Sequence, residues 1–137
     1  MAFDPTSDYP LGTRRPDLVS TPGGIALADV TLAAVRAGEL GADEIRATPE
    51  TLRLQAEVAL AAGRTQLAES FERAAELAAV PDDLLLEVYT ALRPRRATAA
   101  ELEEWAARLE SHEAGKTAAF VREAAAAYAA RGLLADG

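Results

Sequence analysis

The sequence predicts an all-α protein: a single compact domain of about five to six helices with an extended N-terminal segment. Three observations predict this class. Apolar residues recur at helical spacing, residues typical of helix starts and ends separate the apolar stretches, and no stretch alternates convincingly as a half-buried strand does. With 137 residues, the chain has the length of one domain. We expect residues 1–24 to form the extended segment, packed on a partner, and residues 25–137 to form the helical domain.

The N-terminal segment is rich in residues that oppose regular helix, namely Pro5, Pro10, Pro16, Pro22 and the pair Gly23-Gly24. It nevertheless retains the apolar residues Tyr9, Leu11, Leu18 and Val19. A loop that keeps apolar side chains usually lies on another surface, either of its own domain or of a partner. A short helix is expected next, from Leu27 to Ala37.

A longer helix has well-marked ends. Thr48 can cap it, Pro49 suits the first helical position, and Gly63 is well placed just after its last residue near Ala62. The apolar spacing then predicts a helix over about 64–79, which Pro81 ends.

The remaining helices are also bounded by recognisable residues. One is expected over about 82–92, with Leu84, Leu85, Val88, Tyr89 and Leu92 on one side. Another follows a capping box of Thr98 and Glu101, and we expect Gly115 to break or kink it. The last helix is expected over about 116–131, closed by Gly132.

Composition excludes several classes of function. The net charge of −8 argues against binding to nucleic acid or to an anionic membrane surface, both of which require clustered Lys and Arg. Cysteine is absent, which excludes disulfides, iron–sulfur clusters and thiolate metal sites. No stretch approaches the about 18 apolar residues of a membrane span, and no signal peptide is visible.

The sequence offers almost no reactive group. His112 is the single histidine, and its place near a helix C-terminus favours a capping or solvated role over a metal ligand or an acid–base group. Many carboxylates fall at helical spacing from an arginine, as Glu69 does from Arg73, which is typical of surface ion pairs. We therefore assign no catalytic, cofactor-binding or metal-binding residue.

Arg93-Pro94-Arg95-Arg96 is the one basic cluster, and two interpretations stay open. It can contact an acidic surface of a partner. Alternatively, Arg93 compensates the dipole at the end of a helix and the other arginines lie in a solvated turn. The residues alone therefore indicate a helical interaction module.

Specific motifs add to this picture. They lie in unbroken order: Ser7-Asp8-Tyr9-Pro10-Leu11, Thr48-Pro49-Glu50-Thr51-Leu52-Arg53, Phe71-Glu72-Arg73-Ala74-Ala75-Glu76-Leu77, Val80-Pro81-Asp82-Asp83, Ala91-Leu92-Arg93-Pro94-Arg95 and Ala118-Ala119-Phe120-Val121-Arg122. Over about residues 7–131 the chain resembles the small subunit of adenosylcobalamin-dependent propanediol and glycerol dehydratases.

The resemblance implies a helical accessory chain of a heteromeric hydro-lyase. The family's enzyme contains large, medium and small subunits, two copies of each. The large subunit is a TIM barrel that holds substrate and a metal ion, and cobalamin lies between the large and medium subunits. The reaction converts a 1,2-diol or glycerol to an aldehyde and water by radical chemistry. The family's small subunit packs mainly on the large one and carries no catalytic residue. The alternative is a non-enzymatic helical adapter with the same fold, and a stand-alone enzyme is a more remote one.

We expect the contact surface to comprise Tyr9, Pro10, Leu11, Arg46, Arg53, Arg64 and Arg93, because apolar loop residues and arginine favour interfaces. The alternative is that these residues serve the fold of this chain. Relatives often carry an extension before the Asp-Tyr-Pro motif, which only Met1–Ser7 precede here. We therefore expect a cytoplasmic protein whose placement in a bacterial microcompartment depends on another subunit.

Overall fold

A computed structural model describes residues 2–136. Over that range the chain forms helices and turns without a β-strand, apart from one isolated bridge between Ser20 and Ala26. The all-α prediction is confirmed. The chain divides into two compact units, Met1–Ala78 and Ala79–Gly137.

The first unit contains four α-helices and three short 3₁₀ turns. The helices are α1 (Leu11–Arg14), α2 (Leu32–Arg36), α3 (Pro49–Ala61) and α4 (Thr65–Leu77). The 3₁₀ turns are Pro16–Leu18, Leu27–Asp29 and Ala42–Glu44. The long helices α3 and α4 follow the predicted segments closely.

The N-terminal segment is less extended than its prolines indicated, because α1 and the first 3₁₀ turn lie within it. Pro10 immediately precedes α1 and Pro16 occupies the first position of the turn, where a missing N–H costs little. Leu11 is 2% exposed, so α1 is anchored within its own unit. The proposed division of the chain at residue 24 stays a prediction.

The helix predicted over 27–37 is split by Thr31. The Thr31 hydroxyl accepts a hydrogen bond from the N–H of Ala34 at 3.1 Å, which makes Thr31 the N-cap of α2. An N-cap residue has extended backbone, so the helix cannot continue through it. The preceding residues form only a 3₁₀ turn, Leu27–Asp29.

The helices α3 and α4 form a hairpin with small residues at its centre. The Thr48 hydroxyl accepts from the N–H of Thr51 at 3.2 Å, as the sequence predicted. Gly63 ends α3 in the left-handed conformation, with φ of 73°. Three buried alanines and the half-buried Phe71 form the apolar cluster of the hairpin: Ala56, Ala59 and Ala68 are each at most 5% exposed.

The second unit contains α5 (Asp82–Ala91), α6 (Ala99–Ser111) and α7 (Gly115–Arg131). The predicted capping box is present: the Thr98 hydroxyl accepts from the N–H of Glu101, and the Glu101 carboxylate accepts from the N–H of Thr98. The core of the unit joins all three helices, with buried Val80, Leu84, Val88, Ala97, Leu102, Ala106, Leu109, Ala114, Ala118 and Val121.

The break between α6 and α7 falls earlier than Gly115. Helix α6 ends at Ser111, and Glu113 takes the left-handed conformation with φ of 60°. This lets the N–H of Ala114 reach the carbonyl of Leu109 at 3.0 Å and close the end of α6. Gly115 is the first residue of α7 instead of the breaking residue.

An ion-pair cluster joins α6 to α7 on the surface. The guanidinium of Arg122 on α7 donates to Glu103 at 2.7 Å and to Glu110 at 2.5 Å, both on α6. Hydrogen bonding to Arg122 lowers the pKa of each carboxylate below its ordinary value. The same bonds raise the pKa of Arg122, so all three groups are charged across the ordinary pH range.

Candidate protein-binding surfaces

The N-terminal segment presents Tyr9 beside the α3–α4 hairpin. Tyr9 is 55% exposed and lines a groove of about 340 Å³ together with Gln55, Val58, Ala59, Ala62, Arg64, Leu67 and Phe71. The groove has an aromatic side at Tyr9 and Phe71 and one guanidinium at Arg64. Aromatic residues and arginine are the residue types most enriched at the energetic centres of interfaces.

A charged network holds the segment that carries Tyr9. Arg15 donates to Asp8 at 3.0 Å and to Asp17 at 2.9 Å, and its side chain is only 12% exposed. The hydrogen bond from Arg15 lowers the pKa of Asp17 and raises that of Arg15 itself. Upstream, the Asp4 carboxylate accepts from the hydroxyls of Thr6 and Ser7. The segment around Tyr9 is therefore organised by this chain's own contacts.

A second groove lies on the α3–α4 hairpin around Leu60, which is 60% exposed. Its volume is about 340 Å³, and its charges come from Arg53, Glu57, Glu69 and Glu72. An exposed leucine with charged neighbours is suitable for a protein contact, although one exposed leucine alone is ordinary.

Arg46 lies in a third groove of the first unit, of about 290 Å³, with Leu27, Val30 and Ile45. Ile45 is 58% exposed. The Arg46 guanidinium lies 3.9 Å from the Asp43 carboxylate, so the arginine also has a partner within its own unit.

The second unit carries a groove of about 410 Å³ between α5 and α6. Leu86, which is 68% exposed, and the half-buried Trp105 supply its apolar surface, and Arg96 lies at its edge. Arg93 is exposed in the turn after α5. Tyr89, which its spacing places on one side of the helix with Leu84 and Val88, is 59% exposed, whereas Leu84 and Val88 are buried.

The predicted contact residues thus fall on several surfaces. Tyr9 and Arg64 line one groove, whereas Arg53, Arg46 and Arg93 lie elsewhere on their units. Pro10 is exposed next to Tyr9, but Leu11 is buried and anchors the segment to its own unit. The seven residues predicted to form the contact surface are Tyr9, Pro10, Leu11, Arg46, Arg53, Arg64 and Arg93.

Sequence reasoning missed the grooves around Leu60 and Leu86. A signal for Leu86 existed, because Leu84-Leu85-Leu86 places three leucines in succession on one helix. A helix buries residues three or four apart, so one member of such a run must face outward. Leu84 is 5% exposed and Leu86 is the outward-facing member.

Residues 2–136 provide little that resembles an active centre. They contain no group of three or more His, Asp or Glu side chains placed to hold a metal ion. His112 is exposed at the C-cap of α6 and lines none of the four grooves described above. Hydrogen bonds from arginines or hydroxyls explain the lowered pKa values of the carboxylates Asp4, Asp17, Glu103 and Glu110.

No helix in the described part of the chain combines the length and the apolar character required to cross a bilayer.

Known proteins resemble this chain over nearly its whole length. The model of the dehydratase small subunit family matches residues 5–135. The propanediol dehydratase small subunit of Citrobacter freundii is 54% identical over 126 residues, which cover 91% of this chain and 73% of that protein. The propanediol dehydratase small subunit of Salmonella typhimurium strain LT2 is 53% identical over the same shares. The family match includes residues of both units.

Proposed function

Since the chain belongs to the dehydratase small subunit family, we propose that it is the non-catalytic small subunit of a dehydratase that acts on 1,2-propanediol or glycerol. The observation that carries the proposal is its identity of 54% to a propanediol dehydratase small subunit, with 91% of the chain aligned. The exposed apolar grooves on both units support a role in assembly.

In this proposal the other subunits carry out the chemistry of the dehydration. Adenosylcobalamin supplies the radical chemistry when it is bound, and we assign its binding to the large and medium subunits. The four grooves described above have volumes of about 410 Å³ or less, which suit a few side chains and are small for a macrocycle of corrinoid size. The contribution of this chain is to brace the large subunit, with two copies of each subunit in the complex.

The Tyr9 groove is the proposed main contact with the large subunit. It combines an exposed tyrosine, a phenylalanine and Arg64 on a surface that is already organised in the free chain. Pre-organisation reduces the entropy lost on binding. The exposed Arg46, Arg53 and Arg93 are proposed as separate contacts with a partner subunit, and Leu11 as the buried residue that anchors the Tyr9 segment.

Co-purification tests this proposal. The chain is expressed with a tag beside the large and medium dehydratase subunits of the same source. We expect all three to elute together, and Tyr9→Ala to weaken the association by about 1 kcal/mol or more because it removes a central aromatic contact. Tyr9→Phe, which keeps the ring, is the matched control.

Failure of the wild-type chain to elute with the other subunits would overturn the assembly role. Equal retention of Tyr9→Ala and Tyr9→Phe would remove Tyr9 from the contact. We expect the complex in the cytoplasm, and fractionation of cells that express the tagged chain checks this.

A further inference from the structure

The groove between α5 and α6 has an apolar lining that other described residues of this unit do not cover. Leu86 is 68% exposed, and Ala91 and the half-buried Trp105 complete the apolar lining. The guanidinium of Arg108 lies over the ring of Trp105, with its carbon 4.6 Å from the ring centroid. The volume of about 410 Å³ accommodates one or two apolar side chains.

The carboxylates of this groove are already engaged. Glu101 accepts the N–H and the hydroxyl of Thr98 as part of the capping box. Glu87 lies 3.9 Å from the guanidinium of Arg108. Arg96, in contrast, has no carboxylate partner within residues 2–136. Arg96 is therefore the charged side chain of this groove that is left without an ion-pair partner among the described residues.

Three further arginines lie at the same end of the unit. The N–H of Arg95 donates to the carbonyl of Leu133 at 2.8 Å, and the hydroxyl of Tyr128 donates to the carbonyl of Leu92 at 2.5 Å. These bonds fix the turn after α5 against the end of α7, where Arg131 is the last helical residue. The exposed arginines of this end, which we call the arginine end, are Arg93, Arg95, Arg96 and Arg131.

Helix dipoles account for only part of this charge. Arg93 and Arg131 lie at the C-termini of α5 and α7, where a cation is favourable. Arg95 and Arg96 lie beyond α5, and neither forms an ion pair with a carboxylate among the described residues. Within the part of the chain that the structure describes, none of these four cations has an ion pair, although the net charge of the chain is −8.

We propose that the groove and the arginine end bind a segment of a partner dehydratase subunit that carries an apolar side chain flanked by carboxylates. The apolar side chain would lie against Leu86 and Trp105, and the carboxylates would pair with Arg95 and Arg96. The inference rests on the proposed function, since it specifies the chemistry of the partner surface. Arginine suits this role because its planar guanidinium can hold a carboxylate through two hydrogen bonds.

The main test measures the affinity of full-length variants for the purified large and medium subunits. We expect Arg95→Glu/Arg96→Glu to weaken binding about tenfold or more, with an effect that shrinks as salt is raised. Leu86→Ser, a change at an exposed position, should also weaken binding. The matched control is Arg14→Glu/Arg36→Glu, which reverses two exposed arginines of the first unit.

The two proposals fail in different ways. If the wild-type chain binds and the Arg95/Arg96 variant binds as tightly as the Arg14/Arg36 variant, the docking surface is wrong and the proposed function stands. If the wild-type chain does not bind, the proposed function fails, and a peptide titration then decides the docking surface.

That titration uses the fluorescence of Trp105, the one tryptophan of the chain. The probe is a synthetic peptide with leucine flanked by glutamates, and its control has lysines in place of the glutamates. We expect only the acidic peptide to change the spectrum, and the Arg95→Glu/Arg96→Glu variant to lose the response. No change with the acidic peptide, or an equal change with both, would overturn the docking surface.

Discussion

Leucines of the second unit occupy two contrasting environments. Leu109 on α6 is fully buried in the core with Val88, Leu102 and Val121, whereas Leu86 on α5 is 68% exposed. Only the buried leucine contributes fully to the stability of the fold, because the free-energy gain comes from the removal of apolar surface from water. The exposed one is available for a partner.

We predict that Leu109→Ala lowers the free energy of unfolding by about 2–5 kcal/mol, because it leaves a cavity among well-packed neighbours. Leu86→Ala, the matched change at an exposed site, should alter stability by no more than about 0.5 kcal/mol. Urea unfolding followed by circular dichroism measures both. Similar losses in the two variants would contradict the burial assigned to these residues.

Neighbouring residues in the predicted contact segment turned out to play different roles. Tyr9 is exposed beside the α3–α4 hairpin, whereas Leu11, two residues later, is 2% exposed. The sequence could identify an apolar segment held against a surface. It could not say which residue faces inward, because that depends on the short helix α1, which the prolines concealed.

Long helices were predicted well because local residues define their ends. Thr48, Gly63, Thr98 and Gly132 all cap helices as expected, through hydrogen bonds between residues close in sequence. The predictions were less accurate where tertiary packing decides which side chains are buried. Tyr89 fits the apolar stripe of α5 by spacing, yet it is 59% exposed because the core of the unit takes up only part of that stripe.

The contact between α6 and α7 has an electrostatic component at its surface. Arg122 holds Glu103 and Glu110 in one cluster, and the pKa of each carboxylate is lowered from its ordinary value of 4.5. A carboxylate whose pKa is lower in the folded state stabilises the fold above its unfolded pKa. That contribution is lost as the pH falls through the folded pKa.

We predict that Arg122→Gln melts at a lower temperature than the wild type at neutral pH, and that the difference shrinks as the pH falls well below 4.5. High salt should reduce the difference too, because the cluster is exposed. Thermal melts at several pH values measure this, with Arg36→Gln as the control. A constant difference at every pH would contradict an electrostatic role for Arg122.

At the scale of the whole molecule, the sequence indicated two things: which residue types are scarce and which family the chain resembles. From one histidine, no cysteine and a net charge of −8, the sequence favours neither a zinc or thiolate site nor nucleic-acid binding. The ordered motifs between Thr48 and Arg95 carry the resemblance to dehydratase small subunits, and the family match over residues 5–135 confirms it. The grooves could not be predicted, because each depends on how segments that are separate in the sequence meet.

We propose that this chain supports a dehydratase without performing its chemistry. The most direct measurement is aldehyde formation from 1,2-propanediol and from glycerol by large and medium subunits supplied with adenosylcobalamin, with and without this chain. We predict no aldehyde above background from the isolated chain, reduced activity of the other subunits in its absence, and recovery of activity when the purified chain is added back. Full activity without the chain, or turnover by the chain alone, would contradict the account.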